Sequence, residues 1–119
     1  MRAAMVAAAV LLTGSIALAD DIGDAHRQAL AGRDSYWNCL AGEYTTVGSK
    51  NMSGQDFAVH IGGACASERQ NFRVTLMDYL VLQFPEVDTG THLATANNAI
   101  ALAQKDIVTT YTKKRAEQK

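Results

Sequence analysis

The sequence predicts an all-α fold, in which an antiparallel helical hairpin and a third helix form an up-down-up three-helix bundle. Apolar residues recur at three- and four-residue steps along three long segments, and no stretch alternates as a half-buried strand does. Two loops, GSKNMSG and PEVDTGT, separate these segments. Because both loops are short, consecutive helices are expected to run antiparallel.

The beginning of the chain has the pattern of a secretory signal peptide. MRAAMVAAAVLLTGSIALAD contains one positive residue, Arg2, then an apolar run and an A-x-A cleavage motif that ends at Ala19. The apolar run is shorter than the roughly 20 residues that a membrane-spanning helix requires. We therefore expect residues 1–19 to be removed and residues 20–119 to form one exported domain, periplasmic or secreted.

Charge and length limit the classes of partner. The 119-residue chain has a formal net charge of −1, and loss of Arg2 with the leader makes it more negative. This balance favours neither nucleic acid nor an anionic membrane as a partner. After removal of the leader, the chain is long enough for a single domain only.

The first predicted helix carries a stripe that begins at Ile22, and it ends at Val47 because Gly48 and a loop follow. The stripe that we assign to its buried face is Ile22, His26, Ala29, Leu30, Arg33, Trp37, Leu40, Ala41 and Tyr44.

The second predicted helix begins after Ser53, which with Asp56 resembles a capping box. It ends at Phe84, because Pro85 disfavours helical backbone in the residue before it. Its stripe is Phe57, Ile61, Ala64, Cys65, Glu68, Phe72, Leu76, Tyr79 and Leu80.

The third predicted helix starts at about residue 90, and the chain leaves it through KKRAEQK. The cations at its end complement the helix dipole. Its stripe is Leu93, Ala96, Asn97, Ile100, Ala103, Gln104, Ile107, Val108 and Tyr111.

The two cysteines of the chain are expected to form a disulfide. Counted from the hairpin loop, Cys39 and Cys65 lie at similar heights, and exported proteins favour oxidised cysteines. A disulfide brings backbones closer than ordinary helix packing does. We expect Gly62 and Gly63 to permit this approach, with Gly32 and Gly42 as further close-contact positions. A kink at Gly62-Gly63 that splits the second helix is the alternative.

Three polar residues on the stripes predict a buried polar layer. Arg33, Glu68 and Gln104 lie at matching heights when each helix is counted from its loop. A buried charge requires a partner, so we expect these three side chains to contact one another. An arginine beside a carboxylate makes that carboxylate a poor general acid, and the layer is therefore interpreted as structural.

Catalytic and cofactor motifs are not found. The chain has no P-loop, no G-x-G-x-x-G, no C-x-x-C-H and no G-x-S-x-G motif, and we expect neither an enzyme nor a cofactor. The three histidines include no H-x-x-x-H pair. His26 and His92 are expected at the same end of the bundle, so a metal or small-ligand carrier is the alternative function.

The end of the second helix is the candidate partner contact. Counted from the loop, this helix extends beyond the start of the mature first helix, and its last residues are apolar on several sides. An exposed apolar patch of this kind marks interaction surfaces; the alternative is that the third helix and the PEVDTGT loop cover this end as ordinary core. The candidate residues are Met77, Leu80, Val81 and Phe84.

The layout of signal peptide, paired cysteines and helical hairpin is similar to that of small periplasmic helical proteins, including lysozyme-inhibitor-like domains. This resemblance covers the layout and no specific motif, so it assigns no functional residue. The preferred hypothesis is a non-enzymatic envelope protein that binds an unidentified protein, or itself, as an inhibitor or scaffold.

Overall fold

The computed structural model describes residues 2–48 and 51–117, and in them the chain is helical without strands. The helices are α1 (Arg2–Gly48), α2 (Gly54–Gly63), α3 (Ala66–Gln83) and α4 (Thr89–Glu117). The all-α prediction is confirmed. The three-helix up-down-up arrangement is not, because the second predicted helix is two helices. Within the described residues, no helix combines the length and the apolar character needed to cross a bilayer.

The break between α2 and α3 lies where the glycines predicted a possible kink. α2 ends at Gly63, and Cys65 adopts a left-handed conformation with φ of 58°. A Cβ added to Gly62 or Gly63 meets nothing within 4 Å, so the expectation that these glycines permit close backbone approach is wrong. Their low helix propensity instead favours ending the helix. The Arg69 side chain then donates hydrogen bonds to the Gly62 and Ala64 carbonyls, which α2 leaves unpaired.

The predicted disulfide is present, and it joins α1 to the α2–α3 break. Cys39 and Cys65 are bonded, with their Cα atoms 6.1 Å apart. Farther along α3, the ring of Tyr79 packs against that of His26, with centroids 4.9 Å apart. Later residues of α3 contact earlier residues of α1, so the two helices run antiparallel.

The close approach of α1 and α3 occurs at Gly32. A Cβ at this position would lie 2.7 Å from the Thr75 hydroxyl oxygen and 3.2 Å from the Phe72 Cα. Only glycine lets the two backbones come this near without displacing a neighbour. Gly42 has no such role, since a Cβ there meets nothing within 4 Å.

The break also gives α2 and α3 different neighbours: α3 packs mainly on α1, and α2 packs mainly on α4. The rings of Phe57 on α2 and Tyr111 on α4 stack with centroids 4.0 Å apart, and Tyr44 of α1 meets both edge-on. The buried core consists of Tyr36, Leu40, Val47, Phe57, Ile61, Phe72, Ile100, Ala103, Ile107 and Tyr111.

Side-chain caps fix where α2 and α4 begin. The Ser53 hydroxyl accepts a hydrogen bond from the Asp56 backbone N–H at 3.1 Å, which confirms Ser53 as the N-cap of α2. Asp88 accepts hydrogen bonds from the Thr91 hydroxyl at 2.6 Å and from its backbone N–H at 3.2 Å, just before α4. These two bonds, led by that of the hydroxyl, hold the pKa of Asp88 below its ordinary value of 3.8.

Candidate binding groove between α1 and α3

An open groove of about 660 Å³ lies between the middle of α1 and the second half of α3. It lies on a side of this helix pair that α4 does not cover. α4 meets α3 through a hydrogen bond from Arg73 to Asn97 and meets α1 through one from Gln104 to Tyr36, and none of these residues lines the groove. The lining residues are Asp21, Asp24, Ala25, Gln28, Thr75, Asp78, Val81 and Leu82.

The approach at Gly32 limits the groove at one end. Thr75, the lining residue nearest to this crossing, donates its hydroxyl to backbone carbonyls of its own helix. From there the groove continues toward the C-terminus of α3. Beside it, the contact between His26 and Tyr79 keeps the two helices together. The groove therefore lies on regular helices and not on loops.

The lining combines negative charge with apolar surface. Asp21, Asp24 and Asp78 are exposed, whereas the apolar lining residues range from half-buried Leu82 to Val81, which is 45% exposed. Arg27 forms an ion pair with Asp24, in which both side chains are well exposed. Such an exposed pair contributes little to stability, and it leaves the other two carboxylates of the groove without a cation in the described contacts.

Charge is also distributed unequally between the two ends of the bundle. Glu86 and Asp88, in the α3–α4 connection, add negative charge at the end that carries the groove. The opposite end holds the last turns of α4, where Lys113, Lys114 and Arg115 lie. Arg115 there donates hydrogen bonds to Asn51 and to the Met52 carbonyl. The groove is thus part of an acidic end, and the last turns of α4 are part of a basic one.

The predicted partner-contact residues are only partly where the sequence indicated. Val81 and Phe84 are 45% and 49% exposed, but Leu80 is buried and Met77 is half-buried. The expectation that this helix extends beyond its neighbour is wrong, because Val81 and Leu82 line a groove together with Asp21 of α1. The break at Cys65 places this cysteine level with its disulfide partner. Each residue of α3 therefore lies beside a later residue of α1 than the prediction placed it.

The predicted polar layer is not formed. Arg33 is exposed and pairs with its neighbour Asp34 at 3.1 Å. Glu68 is half-buried, with a carboxylate oxygen and both disulfide sulfurs all within 4.8 Å of one another. Gln104 is the one predicted member with a core contact, since its amide donates to the hydroxyl of fully buried Tyr36 at 3.0 Å.

The error for Arg33 comes from the orientation of α1. Where burial is described on this helix, the buried positions are Ala29, Gly32, Tyr36, Leu40 and Val47. This buried face shares Ala29 and Leu40 with the predicted stripe and is rotated from it by less than one residue. Successive residues of an α-helix are about 100° apart. This rotation moves an arginine from the predicted core to solvent.

The histidines have structural partners. His92 is 4% exposed and its Nε2–H donates to the Phe84 carbonyl at 3.0 Å, so it is a core residue and not a solvated one. His26 packs on Tyr79, and His60 pairs with Glu43 at 2.7 Å between Nε2 and a carboxylate oxygen.

Among the described residues, Cys39, Cys65 and Glu68 are the cluster with metal-ligand atoms close together, and both sulfurs are already bonded to each other. The predicted pairing of His26 with His92 as metal ligands gains no support from these contacts.

The sequence reasoning missed the groove residues on α1. Asp21, Asp24 and Gln28 follow one another at three- and four-residue steps, which was a readable sign of a polar helix face beside the apolar stripe. Comparison of the chain with protein-family models, with curated proteins and with solved structures finds no match.

Proposed function

We propose that this chain is an exported, non-enzymatic protein that binds another protein through the groove face of α1 and α3. The single observation that carries the proposal is the open groove, which joins exposed aspartates to apolar side chains on a face that α4 leaves free. In this proposal α1, α3 and α4 form the up-down-up frame. α2 is a short helix that packs mainly on α4, at the end of the bundle opposite the groove.

The form of the groove favours a macromolecule over a small ligand. Small-molecule sites are mostly enclosed and bury most of the ligand against a few convergent polar groups. Here the aspartates are exposed and the groove is open along its length. Val74, 47% exposed, lies seven residues before Val81 and therefore on the same side of α3. This continues the apolar surface away from the groove, as an extended contact requires.

Two observations support export. The first is the leader-like segment that ends at Ala19. The second is the disulfide, since such bonds persist mainly in oxidising compartments. The disulfide, together with a sequence that lacks the catalytic motifs named above, favours a small protein that acts by binding.

The test is site-specific photo-crosslinking in a bacterial cell that exports the full chain. A photoreactive phenylalanine derivative replaces Val81 in the groove or, as the matched control, Leu102 on α4, which is 58% exposed. We expect discrete protein adducts from position 81 and not from position 102. Cell fractionation and N-terminal sequencing of the same sample determine whether the protein is exported and begins at Asp20.

Equal adduct patterns from the two positions, or none from position 81, would contradict binding through this face. A cytoplasmic protein that retains Met1 would contradict export. Native mass spectrometry of the purified protein tests the alternative function, because a retained metal or small molecule would favour a carrier.

A further inference from the structure

We infer that the groove binds a cationic amphipathic helix of the partner protein. This inference rests on the proposed function and names the chemistry of the partner segment. It is carried by the geometry of two antiparallel helices and by the kind of side chains that they place along one groove.

The shape of the groove fits a helix. The lining residues run from Asp21 to Gln28 on α1 and from Thr75 to Leu82 on α3, which corresponds to about two helical turns, or roughly 10 Å, on each side. A channel between two packed helices is the place where another helix fits by ridge-and-groove packing. The apolar lining of Ala25, Val81 and Leu82 matches an apolar stripe spaced at three and four residues on such a helix.

The charge of the groove favours a cationic segment. Asp21 and Asp78 face the groove from opposite helices, and Asp24 shares its charge with Arg27. An amphipathic helix that enters with its apolar stripe places its flanking residues beside these carboxylates. Lysine or arginine at those positions is attracted, and glutamate or aspartate is repelled. Glu86 and Asp88 at the same end extend the negative field that attracts a cationic segment.

The basic end of a second copy of this chain does not have the side chains that the groove requires. Its basic end carries Lys113 and Lys114, but the exposed residues from Thr109 to Glu117 are threonine, lysine, alanine and glutamate. This end therefore offers positive charge without the large apolar side chains that the groove requires. A separate partner segment satisfies both requirements.

The experiment uses the protein purified after export and two fluorescein-labelled helical peptides. One peptide carries leucines at three- and four-residue spacing flanked by lysines, and the other replaces every lysine with glutamate. Fluorescence anisotropy at low salt should show at least about 10-fold tighter binding of the lysine peptide, as expected for charge complementarity.

Two pairs of variants localise the binding. Asp21→Asn with Asp78→Asn should weaken binding of the lysine peptide by about 5-fold or more, an effect that shrinks at high salt. The control neutralises two exposed carboxylates on α4, Asp106→Asn with Glu117→Gln, and should change little. Val81→Ser should weaken binding, whereas Val59→Ser on α2, where the side chain is 75% exposed, should not.

Equal binding of the two peptides, or equal loss in groove and control variants, would overturn the inference. If position 81 still crosslinks to a protein in cells while the lysine peptide does not bind, the proposed function stands and the cationic occupant is wrong. A concentration-dependent dimer in sedimentation that Val81→Ser abolishes would assign the groove to a second copy, and would also overturn this inference.

Discussion

The two ends of this bundle are built differently. At the closed end, where α2 packs on α4, Phe57, Ile61 and Leu40 have no exposed surface, and three aromatic rings contact one another. At the open end, near the C-terminus of α3, the buried residues are fewer and include Ala96 and Leu80. The comparison indicates that one end stabilises the fold and the other presents a charged, accessible surface.

The physical difference lies in what the three helices at each end enclose. At the closed end α1, α2 and α4 surround one aromatic cluster, so large rings are enclosed on several sides and gain the energy of edge and stacked contacts. At the open end α2 has already ended, and the groove side of α1 and α3 faces water. α1, α3 and α4 therefore bury fewer large side chains at this end and leave the groove accessible on the side that α4 does not cover.

The largest expected effect comes from removing a ring at the closed end. Phe57→Ala should lower the free energy of unfolding by about 3–5 kcal/mol, because it leaves a cavity beside Tyr111. Val81→Ala at the open end should change it by less than about 0.5 kcal/mol. Chemical denaturation of both variants measures the difference, and similar losses would show that the two ends do not differ as proposed.

The disulfide should rank next. Replacing both Cys39 and Cys65 by alanine removes a bridge between residues separated by 26 positions. In the chain-entropy account this costs about 3.5 kcal/mol. Thermal unfolding of the double variant tests this value, with a reduced and alkylated sample as a second measurement. An unchanged melting temperature would mean that packing at the break already fixes α3 against α1.

The close approach of α1 and α3 predicts opposite effects on stability for Gly32 and Gly42, to which the sequence analysis gave the same role. Gly32→Ala should destabilise by about 1–3 kcal/mol, because the added methyl meets Thr75 and the backbone of Phe72. Gly42→Ala lies in open space and should stabilise by up to about 1 kcal/mol through helix propensity. Opposite signs in urea titrations are expected, and the same sign for both would contradict the close approach.

The smallest effect concerns the cap of α4 at the open end. Because the folded-state pKa of Asp88 is lowered from 3.8, its ionised form stabilises the folded chain above that value, and this contribution is lost as the pH falls through the lower pKa. Asp88→Asn should therefore lower the melting temperature slightly at pH 7 and not at pH 2. A difference that is independent of pH would exclude the charge as its cause.

Features that depend on residues close together in the sequence were predicted correctly. Helix ends at Ser53 and Pro85 were correct, because they depend on a cap and on a backbone restriction within a few residues. The pairing of Cys39 with Cys65 was correct, since a chain with two cysteines leaves one intramolecular choice. The stripe of α4 was also largely correct, because a long helix averages over errors at single positions such as exposed Leu93.

One failure was local, since the break after Gly63 was only the alternative to a continuous helix; the others were matters of orientation between helices. The rotation of α1 relative to its neighbours left Arg33 in solvent. The break at Cys65 changed the height of every residue of α3 relative to α1, and it thereby replaced the predicted protruding helix end with a groove. No count along a single helix contains this information.

The sequence by itself determined the helical class, the helix ends beside Ser53 and Pro85 and the disulfide, because these follow from local backbone preferences and from the number of cysteines. The tertiary structure decided which face of α1 is buried, where Gly32 brings two backbones together and why Asp21 and Asp78 share one groove. Those properties depend on the rotation and height of each helix against its neighbours, which many distant contacts fix together.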